Sequence, residues 1–164
     1  MKTTLKLFGF FAAISMNGFC FAADVELISI NATPKKMECK SAQVKISDES
    51  VKAELCIAQG SFSSDKYSLK FNGKLVLQGI DDQTAPGINA NYNSQSVVLQ
   101  CAPQVVRGDA TAEDVRKLVP SFSNEKVNQL VDLMKGSTMP VEVARLCTIS
   151  VEKNAVLKAQ VFFE

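Results

Sequence analysis

The 164-residue chain has no histidine. That removes the commonest metal ligand and general base, and with them any serine–histidine or cysteine–histidine nucleophile. None of its five cysteines stands in a C-x-x-C spacing, which argues against a thiol oxidoreductase or a zinc knuckle. Charge of one sign is missing too. The 18 basic and 17 acidic residues nearly cancel, so nothing draws the chain toward nucleic acid or an anionic membrane. Long apolar runs are scarce. The longest candidate, residues 7–16, falls short of the about 20 residues a spanning helix needs.

That short run has another reading. Lys2 and Lys6 precede it, and small or polar residues follow, which is the layout of a secretory signal peptide. Cleavage after Ala22 places Cys20 and Ala22 at the small-residue positions, so residues 1–22 are expected to be a signal peptide and residues 23–164 a single domain. Cys20 does not fit a lipid-attachment box, because Asn17 and Phe19 occupy the places where a Leu-like and a small residue belong. Losing the leader removes Lys2 and Lys6, leaves 16 basic against 17 acidic residues, and makes the cysteine count even.

Cys39, Cys56, Cys101 and Cys147 then suggest two disulfides in an oxidising compartment, periplasmic or secreted. Three pairings are open. Cys39 with Cys56 and Cys101 with Cys147 is favoured, because each bond closes a plausible structural unit. In the chain-entropy description the two loops are worth ~3 and ~4 kcal/mol. The cysteines are therefore expected to staple the fold and not to catalyse.

The body of the chain reads as α+β, mainly antiparallel β with about seven or eight strands. A first strand is expected at residues 24–31. Val51, Ala53, Leu55 and Ile57 alternate with Lys52, Glu54, Cys56 and Ala58, as in a half-buried strand. The strand before it changes phase between Cys39 and Ala42, which suggests a bulge. Asn72-Gly73 is the strongest short hairpin signal. Leu69 would pair with Val76 across it, so either the second strand is buried on both faces or a bulge shifts the register.

Residues 81–95 read as a polar loop, long enough to be functional or mobile. Two helices follow the next strand. One opens with the Thr111/Asp114 capping pattern and stops at Pro120; the other puts Val127, Leu130, Val131 and Met134 on one face and stops at Gly136. Together they outline a helix-turn-helix, but near-neutral charge favours packing against the sheet. This two-helix insertion precedes a C-terminal hairpin, for which a three-residue loop (153–155) would pair Val151 with Leu157 and Ile149 with Ala159.

No constellation for chemistry survives inspection. Ser63 and Lys66 have S-x-x-K spacing but lack the partner motifs of serine enzymes with a lysine base. Asp81 and Asp82 start no calcium-loop register, and an acid site would require Asp81, Asp82 or Asp109 to converge in a pocket. Asn31 to Thr33 would be a glycosylation acceptor only in a eukaryotic secretory route. Neither catalytic residue, metal nor cofactor is expected.

In size, compartment and composition the chain resembles small exported bacterial proteins that bind other proteins, such as lysozyme inhibitors and immunity proteins. The expectation is a non-enzymatic protein-binding module acting by steric occlusion, with Asp81, Asp82, Asn89, Asn91 and Tyr92 in its inserting element. The competing expectation is a structural or accessory component of an envelope or secretion assembly. Its partner would be another protein in the envelope or outside the cell, with no nucleic acid and no stable membrane insertion after cleavage.

Overall fold

The computed structural model describes residues 25–61 and 63–163, so the expected signal peptide, its cleavage site and Cys20 lie outside the described residues. Nine strands and three helices follow one another among the described residues. They are β1 (Leu27–Ala32), β2 (Met37–Ile46), β3 (Glu49–Ala58), β4 (Lys66–Phe71), β5 (Lys74–Ile80), α1 (Asp81–Thr84), β6 (Ile88–Tyr92), β7 (Gln95–Val106), α2 (Ala112–Leu118), α3 (Asn124–Met134), β8 (Val141–Val151) and β9 (Asn154–Phe163). The strands form a four-stranded sheet ordered β2-β3-β4-β5 and a five-stranded sheet ordered β1-β9-β8-β7-β6. Every pairing is antiparallel except that of β1 with β9, which is parallel.

Alternation explains why the sheets face each other. Val51, Ala53, Leu55 and Ile57 point inward from β3, as do Tyr67, Leu69 and Phe71 from β4; Ile149, Leu157 and Val161 answer them from the five-stranded sheet, all buried in one core. At about 1.5–3 kcal/mol per fully buried large apolar side chain, this inner layer is the main source of stability. At one edge of the sandwich β5 comes close to β6. Gly79 makes this possible, since a Cβ there would lie 2.4 Å from the Ile88 side chain.

The two ends of the sandwich differ. At one end are four two-residue turns, Ser47-Asp48, Asn72-Gly73, Asn93-Ser94 and Glu152-Lys153, each with both residues at positive φ. This backbone matches the right-handed twist of the flanking strands, which is why such short turns can close hairpins. At the opposite end β4 and β8 begin and β5 and β9 finish, and α1 and the α2–α3 insertion provide longer connections. The helices cover part of the outer face of the five-stranded sheet. Val115, Val119, Val127 and Met134 pack there on Val106, Val143, Ala144 and Phe162 in a second core. Gln160 is buried beneath them, its amide donating to Gln104 Oε1 and the Leu118 carbonyl.

Both favoured disulfides are present. Cys39 and Cys56 are directly opposed on β2 and β3, and Cys101 and Cys147 on β7 and β8. Two disulfides fit an oxidising, exported compartment. Among the described residues no helix is long and apolar enough to cross a membrane. The Thr111 capping box and the Gly136 stop also form as expected, with Gly136 at φ 77°.

Four expectations need correction. The first strand begins at Leu27 and runs to Ala32, not 24–31. The β2–β3 ladder is continuous and has no bulge at Cys39. Its change of phase arises because Cys39 faces outward with its disulfide while Ala42, Val44 and Ile46 face the core. Residues 81–95 are not a loop: α1 and β6, a strand the turn-rich composition did not announce, account for most of them. Finally, the β8–β9 turn has two residues, and Val151 faces Asn154 while Ile149 faces Leu157. Glu152 sustains this turn because both its backbone N–H and its carboxylate bond to Ser96 at the start of β7. A bulge beside Ile149 then restores the inward phase of Leu157. The same device answers the Asn72-Gly73 question, since a bulge after Leu69 pairs it with Leu77 and leaves Leu75 exposed.

Candidate functional site

The open end of the sandwich holds the most developed polar cluster. Arg145 sits in the apolar phase of β8, two residues before buried Cys147, and its guanidinium reaches the mouth between the sheets. Glu142, three residues earlier on the same strand, takes hydrogen bonds from Nε and Nη2 of Arg145. Across the mouth, Nη1 donates to the Tyr67 hydroxyl at 3.4 Å and lies 3.8 Å from Asp81 Oδ2. The guanidinium also stands over the Phe163 ring, 5.6 Å from its centre. One cation therefore ties β8 to β4, α1 and β9.

Titration follows from this packing. Burial works against the charge on Arg145, but the Glu142 hydrogen bonds and the Tyr67 contact more than compensate and hold its pKa above the ordinary value. Burial pushes the Tyr67 hydroxyl up to about 12, against the opposing pull of Arg145. Asp65 lies just before β4 and accepts a hydrogen bond from the Gly60 N–H at 3.0 Å. Desolvation raises its pKa, the Gly60 bond lowers it, and neighbouring Asp81 raises it again, for a net upward shift.

The sign of that shift gives a prediction. A carboxyl with a raised folded pKa favours the fold while protonated, below about 4, and this contribution is lost as pH rises through the shifted value. Asp65→Asn keeps an acceptor for Gly60 and removes the charge. Its melting temperature should exceed that of the wild type at pH 7, and the gap should close by pH 3; a gap independent of pH would show that charge is not the cause.

The five residues expected in an inserting element have different surroundings. Asp81 is drawn into the Arg145 cluster, and its N–H donates to the Asp65 carbonyl. Asp82 is exposed on α1. Tyr92 turns inward from β6 and meets Phe71 edge-on, with ring centres 5.0 Å apart. Asn89 and Asn91 point to solvent, Asn89 donating to the Gly87 carbonyl. Asp109 lines a separate depression with Arg107 and Ser137, away from Asp81.

Beside the mouth runs an apolar groove of about 280 Å³, lined by Phe122, Leu130 and Leu133 from the helical side and by Val141, Val143 and Phe163 from the sheet. Lys126 covers the Phe122 ring at 4.3 Å, and Phe122 rests on Phe162 with ring centres 5.3 Å apart. Glu142 and Phe163 belong to both features, since one clamps Arg145 and the other lies beneath it. Three large apolar side chains stand out at or near this rim: Leu133 is 77% exposed, Met139 74% and Val141 39%. The sequence carried a sign of this, because Leu133 is apolar yet lies off the stripe of Val127, Leu130, Val131 and Met134.

For metals, the one suitable gathering among the described residues is Cys39, Glu54 and Cys56. Both sulfurs are spent in the disulfide, so the set cannot act as thiolate ligands in this state. Compared with known protein families, with curated proteins and with solved structures, the chain gives no match.

Proposed function

We propose that the chain is an exported protein-binding module, periplasmic or secreted, that acts by occluding a partner's surface through the groove between α3 and β8. The observation that carries this reading is the grouping of Leu133 and Val141 on that groove, with Met139 two residues from Val141. Single exposed leucines are ordinary, whereas apolar side chains gathered on a polar-rimmed groove are the usual mark of an interaction face. Rigidity supports the same reading. The Cys101–Cys147 bond ties β8 to β7 and the second core packs α3 on the sheet, so little ordering entropy would be lost on binding. The charged groups nearby are occupied with one another, and this favours recognition over bond-making chemistry.

The test is affinity capture from envelope and culture-medium fractions with wild-type protein and Leu133→Lys in parallel. A lysine near the C-terminal end of α3 suits the helix dipole, so the variant should unfold like the wild type. The wild type should retain a stoichiometric partner, and the variant should retain about tenfold less, the loss expected for one apolar contact worth ~1.4 kcal/mol. Absence of any stoichiometric partner, or equal retention by both proteins, would overturn the proposal.

A further inference from the structure

Of the four disulfide-bonded cysteines Cys39 alone is exposed, and Cys56 is buried at 1%. Cys101 and Cys147 face the inter-sheet core and are 2% and 0% exposed. Cys39 and Cys56 project from the outer face of the four-stranded sheet, where Cys39 is exposed on the outermost strand. Cys56 is shielded: it stands in register between Cys39 and Ser68, and Glu54 Oε1 lies 3.7 Å from its sulfur. A thiolate arriving from solvent therefore reaches the Cys39 sulfur far more readily than any of the other three.

The surroundings also suit bond opening. The β2–β3 ladder pairs every residue from Met37 with Ala58 to Ile46 with Glu49, so the hairpin does not depend on the disulfide for its register. In the oxidised state Cys56 has no proton, and its contact with Glu54 is not a hydrogen bond. Once Cys56 is released as a thiol, its S–H can donate to that carboxylate. Lys70 holds the same Glu54 oxygen at 3.0 Å, so the departing thiolate does not meet an uncompensated negative charge.

We propose that Cys39–Cys56 is a thiol-exchange site, modified by a dithiol partner that attacks Cys39 Sγ. The partner's thiolate forms a mixed disulfide with Cys39 while the Cys39–Cys56 bond breaks, and Cys56 leaves as a thiolate that takes up a proton. The partner's second thiol then attacks its own sulfur of the mixed disulfide and releases Cys39. In sum the partner is oxidised to its disulfide, and its two electrons and two protons leave Cys39 and Cys56 as thiols. In this exchange the chain is the substrate and not the oxidoreductase, in keeping with its lack of a C-x-x-C pair. The inference does not depend on the groove.

The test uses the oxidised, folded protein without denaturant. Graded dithiothreitol followed by alkylation and peptide mapping should label Cys39 and Cys56 about tenfold or more faster than Cys101 and Cys147, because exchange follows access. Far-ultraviolet circular dichroism should remain that of the folded chain. A parallel incubation with reduced glutathione should place the mixed disulfide on Cys39. The proposal is overturned if both pairs open together with loss of the fold, if neither opens without denaturant, or if glutathione is found on Cys56.

Discussion

With Cys101 and Cys147 both replaced by alanine, the folded state should lose about 4–5 kcal/mol. The bond closes a separation of 46 residues that contains the whole helical insertion, and loop-closure entropy alone assigns it ~4 kcal/mol. The remainder comes from the space left by two fully buried sulfurs that pack with Ile149 and Leu99 in the inner layer. The Cys39/Cys56 double alanine variant should cost less, ~3 kcal/mol, because its separation is 17 residues and Cys39 is exposed on the outer face. A typical domain has about 5–15 kcal/mol in hand, so the first variant is expected to be marginal at physiological temperature and the second clearly folded. Urea unfolding of the two variants against the wild type measures both losses. An equal or larger loss for Cys39/Cys56 would contradict the division of roles between the bonds.

Arg145→Ala should be the most damaging single change at the mouth, at about 2–3 kcal/mol. It removes the packing of the buried side-chain methylenes and the contact over Phe163. The rest of its cost comes from what it leaves behind: Glu142 loses both hydrogen bonds, Asp81 its counter-ion, and the buried Tyr67 hydroxyl its donor. Stranding one half of a fully buried pair costs about 3–5 kcal/mol, and the figure is reduced here because the mouth remains open to water. Arg145→Lys should recover only part of the loss, since one ammonium cannot reproduce a two-nitrogen grip on Glu142 while also reaching Tyr67. Urea unfolding checks the stability; a loss below about 0.5 kcal/mol for the alanine variant would place the cluster among ordinary surface ion pairs. Spectrophotometric titration adds an independent reading. Tyr67, already pushed up to about 12 by burial, should move higher still once Arg145 no longer pulls it down.

Local patterns in the sequence carried most of the sandwich. Alternation located β3 and β4, Asn72-Gly73 marked their hairpin neighbour, and the capping residues Thr111 and Gly136 bounded the helices. The expectation that each bond closes one structural unit led to the observed pairing. What escaped was set by non-local contacts. The parallel union of β1 with β9 joins segments from opposite ends of the domain, and no short-range signal encodes it. β6 was hidden by composition: Ile88, Ala90 and Tyr92 do alternate, but the intervening asparagines and the preceding Pro-Gly read as turn formers, and it is pairing with β7 and docking of Tyr92 on Phe71 that make them a strand. Turn geometry deceived at Glu152-Lys153 because a bulge can repair the parity that a two-residue turn would break.

The candidate site was less legible. Reasoning from polarity pointed to Asp81, Asp82, Asn89, Asn91 and Tyr92, two of which are committed to holding the fold together. Residues that break their element's pattern point instead to the mouth and the groove. Arg145 is a charge in the apolar phase of a strand, and Leu133 is a leucine outside the apolar stripe of a helix. Each anomaly marks a place where the local rule gives way to a longer-range requirement.

The groove can be tested directly by incorporating a photo-crosslinking residue at position 133 or, separately, at position 91 and irradiating cells that produce the protein. Both positions are exposed, so neither substitution should disturb folding. The account predicts a discrete adduct with one partner protein from position 133 and none from position 91. An adduct from position 91 with none from position 133 would contradict it, and would return the binding face to β6.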